Sequence, residues 1–157
     1  MKRYISKKEE SNYTYMLKIL NSIGGRSLEY NWLITDIEAY PQDNVELDNL
    51  IGENDYLFLS NDELITMLEK KDFQWIWAVF SAIPITYSEE DILQFDLPCF
   101  WSVEEGMYNP CEDKPKLQHP YANFEIYAFD SSYMFIISDD KELISKFQKC
   151  YPKYEEA

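Results

Sequence analysis

The sequence predicts an α+β fold: residues 1–157 as a single domain, with a mixed or mainly antiparallel sheet of four to six strands packed by helices. Three observations support that class. Apolar runs with strand character alternate irregularly with runs of helical period. The last two strand-like runs are separated by a short polar turn, as in a hairpin. A chain of 157 residues, 46% hydrophobic and 17% aromatic, has the size and composition of one ordinary globular domain. Such a chain buries roughly 68–70% of the surface its unfolded form exposes, so it needs neither disulfide nor metal to fold.

The elements follow in order. Ser11 is placed to N-cap a helix over residues 12–23, with Tyr15, Met16, Ile19, Leu20 and Ile23 on one side and Gly24-Gly25 as its stop. Residues 30–37 are rich in β-formers and read as a strand that ends before Pro41. Residues 41–55 are polar and poorly periodic, which reads as a loop with room for one helical turn near 47–51. Residues 56–59 form a short buried strand. Ser60 and Glu63 have the spacing of a capping box for a helix over 61–71, with Leu64, Ile65 and Leu68 inward.

Residues 73–83 are apolar on both faces, as in a central strand covered on both sides, and Pro84 closes the run. Ser88 and Asp91 repeat the capping-box spacing for a short helix. From 98 to 120 five breakers, Pro98, Gly106, Pro110, Pro115 and Pro120, keep the chain irregular. A loop that long signals function or unrecognised strands. Residues 124–129 and 133–137 form the hairpin. Asp139 and Glu142 have capping spacing for a last helix to about Cys150, with Leu143, Ile144 and Phe147 helically spaced. The segments around 57–65 and 135–144 share the order strand, polar cap, amphipathic helix, which local physics explains as well as duplication does.

Charge is the strongest global feature. The net charge is −15, but residues 1–26 carry a net +4. Between Ser27 and Glu69 there are eleven carboxylates and no Lys or Arg. From Gln74 to Glu112 seven more stand without a basic residue between them. Such a field repels nucleic-acid phosphates and anionic membrane surfaces and attracts cationic partners. Direct nucleic-acid and membrane binding are therefore not expected, and a basic protein partner is. Three cysteines without a CxxC pair fit a reducing compartment. With neither a signal-peptide h-region nor an apolar run of membrane-spanning length, the expected location is cytoplasmic.

No catalytic residue, metal ligand or cofactor is expected. The lone histidine, His119, lies in no recognisable motif, and Cys111 eight residues upstream is surrounded by acidic sequence that disfavours a thiolate. One His and three scattered Cys do not give a structural zinc spacing. The four glycines match no phosphate-binding loop. The alternative to a binding protein is a small hydrolase or metal-dependent enzyme with its site near residues 98–120, containing His119 and a carboxylate.

The acidic tracts are interleaved with aromatics, a composition that suits protein interfaces. The candidate partner-binding residues are Asp36, Glu38, Tyr40, Asp43, Glu46, Asp48, Glu53 and Asp55 in the first tract, with Glu89, Glu90, Asp91, Trp101, Glu104 and Glu105 in the second. Trp32, Trp75 and Trp77 are assigned to the core instead.

The stretch NFEIYAFDSSYMFIISDD over residues 123–140, with WIWAVFSAIP upstream and the final short helix, resembles small acidic bacterial proteins. Some of those are similar to immunity proteins of contact-dependent or polymorphic toxin systems. The resemblance implies a cytoplasmic antidote that binds and blocks a cognate toxin, commonly a basic nuclease. It carries no binding residues over to this chain.

Overall fold

The computed structural model describes residues 1–6, 14–41, 43–100, 109 and 112–156. Its strands are β1 (Lys2–Ser6), β2 (Tyr30–Ala39), β3 (Leu57–Ser60), β4 (Trp75–Pro84), β5 (Phe124–Phe129), β6 (Tyr133–Ser138) and β7 (Tyr154–Glu156). Its helices are α1 (Met16–Ile23), α2 (Val45–Glu53), α3 (Asn61–Lys70), α4 (Glu89–Ile92) and α5 (Lys141–Cys150). All seven strands join one open sheet in the order β3-β2-β4-β5-β6-β1-β7, and every neighbouring pair is antiparallel. The class is α+β, with seven strands where the sequence suggested four to six.

The two additional strands are the chain's ends. β1 pairs with β6 on one side and with β7 on the other, with Tyr4 opposite Glu156. The Lys2–Glu156 and Met1–Asp139 ion pairs, both at 2.8 Å, fasten this corner. Neither segment shows alternation strong enough to read alone, since β7 is exposed throughout. β1 becomes a strand because β6 is there to pair with it, and β7 because β1 is.

Alternation then builds two covered faces. On one, Trp32, Ile34, Phe80, Ile126 and Ile136 meet Met16, Leu20, Leu64, Leu68, Leu143 and Phe147 of α1, α3 and α5. On the other, Val79, Tyr127, Phe135 and Ile137 cluster with Phe100, while Leu33 and Ile83 pack with Ile92 of α4 and Ala122. β4 is thus buried on both sides, covered by helices on one and by α4 and irregular chain on the other. A bulge near Thr35–Glu38 shifts its register against β2. There Asp36 adopts φ 50°, in the left-handed region that Asp tolerates better than most residues.

Three element boundaries move, each for a non-local reason. α1 begins at Met16, because Tyr15 is extended and bridges Gln74; the expected cap at Ser11 lies outside the described residues. α2 is a nine-residue helix where a loop with one turn was expected. Asn44 caps it by accepting from Leu47 N, and donates its amide to the Met67 and Lys71 carbonyls, both at 2.8 Å. α5 is capped by Asp140, which accepts from Glu142 N and Leu143 N, so Asp139 is free to pair with the N-terminus. The two Ser capping boxes, at Ser60 and Ser88, form as their spacing indicates. Among the described residues no helix is long and apolar enough to cross a membrane.

Candidate functional site

Basic residues outside the first acidic tract fold back onto parts of it. Arg26, in the turn after α1, binds Asp62 and, at 2.7 Å, Glu69. Lys70 at the end of α3 binds Glu46, and Lys71 lies 3.6 Å from Asp43. Exposed pairs of this kind contribute about 0–1 kcal/mol each. The larger effect of the Lys70 and Lys71 pairs is to neutralise the region around the start of α2. Tyr40 sits beside that region and is 67% exposed.

Other candidates are occupied inside the fold. The Asp36 carboxylate accepts the Phe100 amide at 2.7 Å, and Thr35 donates to the Pro98 carbonyl at 2.6 Å. Together they pin the chain after Leu97 to β2. Asp91 is held by the Ser88 amide and hydroxyl, which keep its carboxyl below the usual range. Glu38 and Asp48 are exposed, each apart from the ion pairs formed by the described residues. Trp101, Glu104 and Glu105, like Tyr108 and Cys111, lie outside the described residues.

What remains converges. β3 is one edge of the sheet, and a groove of about 380 Å³ runs along it. Leu50 and Glu53 of α2 form one wall, Glu89 of α4 the other, with Asp55 and Tyr56 between them. The Tyr56 hydroxyl donates to Glu89 Oε1 at 2.8 Å, and this bond lifts the tyrosine's own pKa. The two acidic tracts thereby meet at one place, with Glu90 exposed alongside. Among the described residues Glu53, Asp55, Glu89 and Glu90 form no ion pair.

The backbone adds to this field. α2 ends at the groove, where the Asn54 amide donates to the Leu50 carbonyl at 2.8 Å and the negative end of the helix dipole adds to the field. Its last turn has no basic residue and carries Glu53, the reverse of what helix stability favours. Sequence gave no signal for the convergence, since Asp55 and Glu89 are far apart along the chain and only the sheet edge brings them together.

The irregular region holds a buried polar cluster. Glu125 of β5 is fully buried and accepts from the Gln118 amide at 2.9 Å, the His119 amide at 3.0 Å and Ser81 Oγ at 3.2 Å, and also from the Tyr127 hydroxyl. Burial pushes its pKa up, against these hydrogen bonds. Gln118 extends the network, accepting from the Cys99 amide at 3.1 Å and donating to Tyr127. A charged residue within the aromatic run FEIYAF is the sequence signal for it.

His119 is fully buried at the edge of this cluster. Its Nδ1 accepts from the Tyr121 amide at 3.2 Å, which makes Nε2 the protonated nitrogen facing the Ile92 carbonyl at 3.3 Å. Burial lowers its pKa, and both ring nitrogens are engaged by backbone. Burial raises the Cys99 thiol, with Asp36 adding to the effect. That is the opposite of what activates a nucleophilic thiol. Among the described residues no three His, Cys, Asp or Glu side chains gather as a metal-ligand set. The cluster's evident effect is to fasten residues 117–119 to the sheet.

No protein-family model, curated protein or solved structure matches this chain.

Proposed function

We propose that this chain is a non-enzymatic, cytoplasmic protein-binding module for a basic partner, in its sharpest form an immunity protein that neutralises a cognate basic toxin, such as a nuclease. The observation that carries the reading is the meeting of Glu53, Asp55 and Glu89 around the groove at β3, with no ion pair to a basic side chain among the described residues. Exposed carboxylates set beside the half-buried Tyr56 and Phe58 offer what a cationic interface needs. The overall field speeds encounter with a basic protein and disfavours nucleic acid.

The alternative, a hydrolase or metal-dependent enzyme near residues 98–120, draws less support from the geometry. His119 is buried with both nitrogens bonded to backbone groups, and Cys99 is held as a thiol.

The test begins with the protein immobilised in a lysate of its native host. The captured basic protein is identified, purified and titrated against wild type and against the Glu53→Lys, Asp55→Lys, Glu89→Lys triple variant. Losing one to several close charge contacts should weaken affinity by at least 100-fold, at about 1.4 kcal/mol per factor of ten. The melting temperature should stay within a few degrees, because all three side chains are exposed. Unchanged affinity in the triple variant would overturn the assignment.

A further inference from the structure

We infer that β3 takes up an extended, basic segment of the partner as an added strand, making the sheet eight-stranded in the complex. The inference rests on the reading above and specifies how its site is used. Among the described residues β3 pairs with β2 alone, so Phe58, which faces the same side as the Ser60 N–H, turns its N–H and C=O away from the sheet. Ser60 at the strand's end does not offer its N–H, which is donated to Glu63 in the capping box. Four residues of strand span about 13 Å, enough to seat one short partner strand.

The walls of the groove match such an occupant on both sides. Successive side chains of an added strand point to opposite faces of the sheet. On the helix side they would meet Leu50 and Glu53; on the other, Tyr56, Phe58 and Glu89. Each side pairs an apolar floor with a carboxylate, which suits the stem and head of a lysine or arginine.

Charge also decides among occupants. Natural edges are commonly guarded by lysine or proline, and the tract from Ser27 to Glu69 contains no Lys or Arg. Here the guard is negative. It repels a second copy of this edge, whose groove would bring the same carboxylates, and it admits a cationic strand. Main-chain bonds would then supply affinity, and the flanking carboxylates the preference for basic side chains.

The probe is a capped heptapeptide alternating lysine and valine, set against its counterpart methylated on every backbone nitrogen. The two share charge and side chains but differ in backbone donors. Binding is followed by titration and by hydrogen exchange of the β3 amides in the full-length protein. The unmethylated peptide should bind at least tenfold more tightly, slow exchange at the outward amide of Phe58, and lose affinity at least tenfold in Glu53→Lys and Glu89→Lys.

Equal binding of the two peptides, unchanged β3 exchange, or no binding of either would overturn strand addition. Equal binding with loss in the two variants would remove strand addition while leaving the acidic surface in place. The reading of that surface fails separately, if the purified basic partner is indifferent to the same substitutions.

Discussion

Asp72 shows how one residue governs an element distant in sequence. α1 has no acidic residue in its first turn, and Tyr15 supplies no side-chain cap. Asp72, between α3 and β4, fills the gap: Oδ2 accepts the Leu17 amide at 3.2 Å and Oδ1 the Phe73 amide at 2.9 Å. Burial outweighs both bonds and lifts its pKa from 3.8 to about 6. A carboxyl with a raised folded-state pKa binds its proton more tightly folded than unfolded, so stability falls as pH rises from about 4 through about 6. Allowing for partial exposure, the effect amounts to about 1–2 kcal/mol. Asp72→Asn should remove that slope while keeping one acceptor for the helix. Urea unfolding of wild type and variant at pH 4.5 and 7 checks it. Glu125 shifts in the same direction, so the difference between the two proteins, not the wild-type curve, isolates Asp72. A difference that does not change between the two pH values would sink the assignment.

At the scale of elements, α2 carries the conflict between stability and binding. Its Asn44 cap and the acidic Glu46 and Asp48 in its first turn suit a helix N-terminus, whereas Glu53 at its last residue opposes the dipole. Glu53→Lys should therefore stabilise the isolated protein by about 0.3–1 kcal/mol while weakening the complex. Denaturant unfolding reads the first effect and titration with the basic partner the second. A variant both less stable and equally tight would contradict the role given to that end of the helix. The same element shows where sequence reading stops. Ser60–Glu63 and Ser88–Asp91 were legible because a capping box lies within four residues. α2 was not, because the Asn44 side chain that fixes its start also binds carbonyls at the far end of α3. β1 and β7 were illegible because each is a strand only through a partner distant in sequence, β6 for β1 and β1 for β7. The acidic tracts could be read directly from sequence, but which carboxylates would be neutralised depended on Arg26, Lys70 and Lys71 reaching back across the fold.

For the whole molecule, the net charge of −15 has two consequences of opposite sign. Within the protein, carboxylates such as Glu53, Asp55, Glu89 and Glu90 repel one another across the β3 groove, and the folded state holds them closer than the unfolded chain does. The visible attractive pairs are exposed and contribute little that salt could remove. Raising ionic strength shortens the Debye length from about 30 Å at 0.01 M to about 8 Å at 0.15 M, which screens the repulsion first. The melting temperature of the isolated protein should therefore rise by a few degrees over that range of sodium chloride. Over the same range its association with a basic partner should slow, because the same field steers encounter. Thermal unfolding followed by tryptophan fluorescence suits the first measurement, since Trp32 and Trp75 are fully buried. Stopped-flow mixing with the purified partner suits the second. A melting temperature that falls with salt would mean the ion pairs around α3 dominate and the charge at the β3 edge is not a standing cost to the fold. Stabilisation by salt together with a salt-independent association rate would mean that the acidity serves solubility alone.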